Sequence, residues 1–125
     1  MNFAKWVFIV AAILGILVLV PNYFLEERIG RDFPPPITHP ENFYGFTGVA
    51  LAWQILFLVI ARDPRRFRPV MPVASLEKLS FGIAVVVLYV RGRVATPVLV
   101  AGVADLVFAF LFFLAWRATR EKQGT

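Results

Sequence analysis

The sequence predicts an all-α protein, an integral membrane bundle of four transmembrane helices. Two observations on composition and one on patterning support this fold class. Hydrophobic residues make up 59% of the 125 residues, whereas soluble domains contain roughly 45–50%. Only 17% are charged, and the charged residues cluster between long apolar runs. A soluble domain of this length could not bury so much apolar surface, but the interior of a bilayer accepts it.

Four apolar segments are long enough to cross a bilayer. A helix rises about 1.5 Å per residue, so about 20 residues span a hydrocarbon core of roughly 30 Å. The segments that meet this requirement are approximately 5–25, 43–61, 72–90 and 95–116. We therefore expect residues 1–125 to form a single transmembrane domain.

The connection between the first two segments is polar. It contains Pro34-Pro35-Pro36, and three consecutive prolines exclude a helix there. Thr38 is expected to cap the second helix, because Glu41 follows three residues later in a capping-box pattern. His39 and Glu41 are also candidate titratable groups at the outer mouth of the bundle. The simpler interpretation is that they only shape the start of the helix.

The distribution of positive charge predicts the orientation. If the N-terminus is cytoplasmic, nine Lys and Arg residues lie on the cytoplasmic side and four on the outer side, as the positive-inside rule favours. We therefore expect a multi-pass protein of the cell's inner (plasma) membrane with both termini in the cytoplasm. The cytoplasmic set is Lys5, Arg62, Arg65, Arg66, Arg68, Lys78, Arg117, Arg120 and Lys122, and the outer set is Arg28, Arg31, Arg91 and Arg93.

Composition also narrows the possible ligands and partners. The chain has no cysteine and one histidine, His39, so we expect no metal site and no cofactor that needs several such ligands. The formal charge of +5 does not indicate nucleic-acid binding, because the basic residues flank apolar segments. The expected partners are the lipid bilayer and either a second copy of the chain or another membrane protein.

Asp105 is the most informative polar residue, because it lies near the middle of the fourth segment. A charged group at that depth costs about 2.5–3.5 kcal/mol on insertion scales, so it normally faces protein or water. Ala101, Gly102 and Ala109 are expected to share its helix face and to let another helix approach closely. We expect Asp105 to have a specific partner that matters for function. The alternative is a hydrogen-bonded aspartate that only holds helices together.

Glu77 and Lys78, in the third segment, are the expected partners of Asp105. Their depth depends on where this helix begins. If it begins near Pro72, both residues lie one to two turns inside the membrane, and the lysine side chain can extend towards Asp105. If Ser75 is the N-cap, Glu77 lies in the first turn and Lys78 extends to the membrane interface. The sequence leaves both possibilities open.

Gln54 and Trp53 lie in the second segment, at a depth similar to that of Lys78. The Gln54 amide both donates and accepts hydrogen bonds, so it could bridge Lys78 and Asp105 or contact a ligand. A hydrogen bond between helices with no further function is the more common role. Trp53 is either part of the packed interior or a platform for a ligand.

Several runs along the chain resemble small uncharacterised bacterial membrane proteins of four helices. The pattern includes residues 39–46 (HPENFYGF), 52–54 (AWQ) and 61–64 (ARDP), and it continues through residues 72–82 to Asp105. More loosely, the chain is similar to the DoxX-like set of four-helix membrane proteins. The resemblance covers most of the chain and implies the same fold, but it brings no activity. It places four candidate residues in one pattern, namely Gln54, Glu77, Lys78 and Asp105.

No motif of a known reaction is present, since the chain has no nucleophile elbow, phosphate loop or set of metal ligands. The favoured hypothesis is a binding or structural component of the membrane, either oligomeric or a subunit of a larger complex. One alternative is a carrier of protons or small solutes that uses a Glu77, Lys78 and Asp105 cluster. The other is an intramembrane enzyme or lipophilic-ligand binder, in which Trp53 and Gln54 join the two acids around a cavity. Catalytic residues cannot be assigned.

Overall fold

The computed structural model describes residues 2–33 and 36–120. All secondary-structure elements within these ranges are helical, which confirms the all-α class. Two of the sequence-based predictions concern residues outside these ranges, namely Pro34 and Pro35 of the proline run and Lys122 of the cytoplasmic set. The five α-helices are α1 (Asn2–Leu19), α2 (Glu26–Asp32), α3 (Pro40–Arg62), α4 (Met71–Val90) and α5 (Thr96–Ala118).

Four helical segments are long and apolar enough to cross a membrane. Two of them include a short 3₁₀ turn, Val20–Phe24 after α1 and Arg68–Val70 before α4. By length and composition the four segments are Phe3–Phe24, Pro40–Arg62, Arg68–Val90 and Thr96–Ala118. The fold is therefore a bundle of four long apolar helices with one short polar helix between the first two.

The short helix α2 lies in the connection that the sequence analysis treated only as polar. Glu26 and Glu27 lie in its first turn and Arg31 in its last, which places each charge favourably in the helix dipole. Arg28 and Asp32 form an exposed pair, with 3.5 Å between Nε and Oδ2. A helix of seven residues is too short to show a hydrophobic period, so it could not be recognised from the sequence.

The predicted capping box at the start of α3 is wrong. The N-cap is His39 rather than Thr38, and its side chain makes no capping hydrogen bond. Pro40 occupies the first helical position, where the missing N–H costs nothing and the fixed φ suits a helix. The backbone N–H groups of Asn42 and Phe43 instead donate to the His39 carbonyl oxygen. Backbone geometry, and not a side-chain cap, therefore begins this helix.

α4 begins at Met71, which agrees with the predicted start near Pro72. The alternative start at Ser75 is wrong, because the Ser75 hydroxyl donates to the Ala109 carbonyl oxygen of α5 at 2.8 Å. It therefore joins two helices instead of capping one. An early start places Glu77 and Lys78 well inside the helix, about 9–10 Å from its first residue.

α4 and α5 form the most extensive helix–helix interface in the bundle. Three contacts spaced seven residues apart, along the segment Arg68–Val90 and along α5, define an antiparallel register. This spacing keeps contacts on one helix face. The chain reverses between them over residues 91–95, where Gly92 has a φ of 70° that favours glycine. The contacts are Arg68 Nε to the Trp116 carbonyl oxygen, Ser75 to Ala109, and Gly82 against Gly102.

α1 packs mainly against α3 and less extensively against α5, whereas α3 and α4 approach each other at few points. The order around the bundle is therefore α3, α1, α5 and α4. Three buried aromatic rings fill one half of it: Phe8 stacks on Phe112 at 4.2 Å, and Phe57 meets the edge of Phe112 at 4.9 Å. This core lies at the end where α1 begins and α5 ends, which we call the N-terminal end.

Candidate functional site

A contact between Lys78 and Asp105 lies in the middle of the bundle. The Lys78 Nζ atom is 3.4 Å from Asp105 Oδ1, and the two side chains are 6% and 23% exposed. Lys78 comes from the third turn of α4, and Asp105 from the middle of α5. The structure thus brings together two residues that the sequence analysis proposed as partners, across the most extensive helix interface of the bundle.

The Lys78 ammonium group also lies close to two aromatic rings. It is 5.3 Å from the centre of the Phe57 ring and 5.8 Å from that of Phe108. Such contacts attract a cation, and more strongly where water is excluded. Its surroundings are therefore one carboxylate and two aromatic side chains. Lys78 is buried in the bundle and does not extend to the membrane interface, which had been the alternative interpretation.

Glu77 is half-buried, and its hydrogen bonding is less complete than that of its neighbour Lys78. Its Oε2 atom is buried and has no hydrogen-bond partner among the described residues. The side of α4 that carries Glu77 faces α3, because Phe81, one turn later, stacks on Phe46 of α3 at 5.8 Å. With all three groups ionised, the cluster of Glu77, Lys78 and Asp105 holds one positive and two negative charges. One negative charge is thus left without a counterion.

Trp53 lies near this cluster and Gln54 does not join it. The ring centre of the half-buried Trp53 is 6.3 Å from that of Phe57. The Lys78 ammonium group lies over this same Phe57 ring. Gln54 Nε2 donates to the Ala50 carbonyl oxygen one turn earlier at 2.9 Å.

The Gln54 side chain lies against α1, where a Cβ added at Gly15 would overlap it. Its Oε1 atom is buried and without a partner in the described structure. The bridge from Gln54 to Lys78 and Asp105, one of the roles considered from the sequence, is not formed. The reason is geometric: this residue belongs to the face of α3 that packs on α1, and the pair lies between α4 and α5.

His39 and Glu41, the candidates at the outer mouth, contact each other through Nδ1 and Oε1 at 3.4 Å. Both side chains are about 70% exposed, and exposed pairs contribute little to stability. They lie at the start of α3, at the end of the bundle opposite the N-terminal end. The structure therefore separates them from the cluster at mid-depth.

The small residues around Asp105 only partly behave as predicted. Gly102 and Ala109 are buried in the interface with α4, but Ala101 is exposed. A Cβ added at Gly102 would lie 2.7 Å from the Cβ of Val85, so glycine is needed for this approach. Each residue turns a helix by about 100°, which carries Ala101 out of the interface.

Two clefts lie away from the charged cluster, and sequence reasoning identified neither. An apolar cleft of about 370 Å³ lies between α1 and α5. A polar cleft of about 390 Å³ lies at the end opposite the N-terminal end. The acids and arginines between its two tyrosines were the signal in the sequence for a site. The polar cleft is lined by Tyr23, Phe24, Glu26, Glu27, Arg28, Arg31 and Tyr44.

Comparisons of the chain with protein-family models, with curated proteins and with solved structures found no match. The resemblance to bacterial four-helix, DoxX-like membrane proteins therefore stays a prediction. Function must be inferred from the geometry of the chain itself.

Proposed function

We propose that the chain is a binding or structural component of the inner membrane, either oligomeric or a subunit of a larger membrane complex. One observation carries this proposal: the buried Lys78–Asp105 contact is made within the chain, between consecutive helices. A transported solute or a substrate must reach the charges that handle it. Here the ammonium group is enclosed by a carboxylate and by the rings of Phe57 and Phe108.

The position of the pair suits a role in specifying the helix interface. Buried polar groups are best attested where they fix register and partner choice. Lys78 and Asp105 lie between two of the heptad-spaced contacts, Ser75 with Ala109 and Gly82 with Gly102. The pair thus favours one register of α4 on α5. Apolar packing alone would discriminate only weakly between alternative registers on this surface. We further propose that both termini are cytoplasmic, on the basis of the Lys and Arg distribution.

A second candidate function rests on Glu77. Its unpartnered Oε2 atom and the single uncompensated negative charge of the cluster would suit a carrier of protons or small cations. Ionisable residues within membrane segments often mark such pathways. In this second case Glu77 is the group that binds the transported ion, and the Lys78–Asp105 pair only supports it.

Flux measurements on the purified chain in liposomes separate the two functions. We expect proton and potassium flux, followed with an entrapped pH dye and with potassium release, to equal that of empty liposomes. The reason is that the charged cluster lies outside both described clefts.

The matched pair of variants is Glu77→Gln and Glu41→Gln, the second at an exposed carboxylate. Flux that disappears in Glu77→Gln and persists in Glu41→Gln, with unchanged circular dichroism, would overturn the structural proposal in favour of a carrier.

A further inference from the structure

The polar cleft lies where the first spanning segment meets the membrane boundary. Tyr23 and Phe24 end the span Phe3–Phe24, and α2 follows directly. Phe24 is 81% exposed, which is typical of an aromatic residue that reaches into the lipid interface. The cleft volume of about 390 Å³ falls in the range of small-ligand sites, roughly 300–1,000 Å³. The cleft adjoins the end of a segment long and apolar enough to cross the hydrocarbon core, which is the level where lipid headgroups are expected.

One wall of the cleft suits an amine. The rings of Tyr23 and Tyr44 are nearly parallel, with centres 5.9 Å apart. The carboxylates of Glu26 and Glu27 line the same cleft as the two tyrosines. Aromatic faces and carboxylates together attract ammonium groups through cation–π contacts and ion pairing.

The other wall suits a phosphate. Arg28 and Arg31 lie one turn apart on α2 and both line the cleft. Arg28 contacts Asp32, and Arg31 has no ion pair among the described residues. Guanidinium groups present a planar fork of donors that matches phosphate oxygens. Since the lining carries two carboxylates and two guanidinium groups, a purely anionic or purely cationic ligand would meet repulsion as well as attraction.

We propose that the polar cleft binds a zwitterionic phosphate–amine group, the headgroup of a membrane phospholipid such as phosphatidylethanolamine. Arg28 and Arg31 hold the phosphate, and Tyr23, Tyr44 and Glu26 receive the ammonium group. The lipid tails leave past the exposed Phe24 into the bilayer. This site is separate from the Lys78–Asp105 cluster, and it stands whether the chain is a structural component or a carrier.

Lipid retention by the full chain tests this site. The chain is purified from nanodiscs that contain equal amounts of phosphatidylethanolamine and anionic phosphatidylglycerol, and native mass spectrometry counts the retained lipids. We expect at least a fivefold preference for phosphatidylethanolamine. Glu26→Gln should reduce this preference to less than twofold, because it removes a carboxylate that receives the ammonium group. Arg31→Gln should instead lower the retained amount of both lipids, because both carry the phosphate that Arg31 holds.

Two variants at the same end of the bundle serve as matched controls. Arg93→Gln removes an exposed arginine outside the cleft, and Glu41→Gln removes an exposed carboxylate. Both should retain the wild-type preference. Equal retention of the two lipids by the wild type, or equal losses in cleft and control variants, would overturn the proposal.

The same variants distinguish a lipid from a soluble source of the headgroup. Glycerophosphoethanolamine, which has the headgroup without tails, is titrated into the chain by calorimetry. We expect it to bind at least tenfold more weakly than a short-chain phosphatidylethanolamine. Equal affinities, lost in Arg31→Gln and kept in Arg93→Gln, would support the headgroup chemistry and overturn the lipid as its source.

Discussion

Asp105→Asn is expected to lower the free energy of unfolding of the bundle by about 3–5 kcal/mol. The variant leaves the ammonium group of Lys78, whose side chain is 6% exposed, without its carboxylate inside the helix interface. Removing one partner of a buried ion pair is more costly than removing both, because a lone charge stays buried. Reversible unfolding in mixed detergent micelles, followed by circular dichroism, measures the difference.

The double variant Lys78→Met/Asp105→Leu is the decisive comparison. It removes both charges and keeps apolar side chains of similar length, so we expect it to regain most of the stability lost in Asp105→Asn. Glu77→Gln, measured beside it, shows how much of the effect depends on the neighbouring carboxylate. If the double variant unfolded as easily as Asp105→Asn, the contact between the two charges would not be the source of the loss.

Gly102→Ala is expected to destabilise the packing of α4 on α5. Its added Cβ would lie 2.7 Å from the Cβ of Val85, an atom fixed to the backbone that cannot swing away. α4 and α5 must then separate, at a cost of about 1–3 kcal/mol. The same separation would lengthen the Lys78–Asp105 contact, so the two effects should not be additive in a double variant.

Gly45→Ala is the matched control, because nothing lies within 4 Å of an added Cβ at that position of α3. Alanine is a better helix former than glycine by about 1 kcal/mol, so this variant should be as stable as the wild type or more stable. Both variants are compared by the same unfolding measurement. Equal stabilities of Gly102→Ala and Gly45→Ala would show that α4 and α5 are not packed as closely as described.

The long helices could be predicted because membrane crossing requires length and hydrophobicity, which the sequence shows directly. Four apolar runs therefore correspond to four long helices. The pairing of Lys78 with Asp105 was only one of two possibilities, because the sequence did not show whether α4 begins near Pro72 or at Ser75. The start of α4 at Met71 decides between them.

The faces of the helices could not be predicted with the same success. In a membrane protein the residues that face lipid are as apolar as those that face other helices, so hydrophobicity does not show which side is buried. Ala101 was expected inside and is exposed, and Gln54 was expected near the charged pair and faces α1. The short helix α2 and the His39 N-cap depend on local backbone geometry that composition does not reveal.

The charged pair also has a consequence for how the chain enters the bilayer during synthesis. Lys78 and Asp105 belong to consecutive helices joined by residues 91–95, so no other helix is needed to bring them together. Each charge inserted alone costs about 2.5–3.5 kcal/mol on insertion scales. As a hairpin, α4 and α5 can leave the insertion machinery with Lys78 and Asp105 already paired, before they pack against α1 and α3. Two charges that are hard to insert are therefore carried by two helices that can insert together.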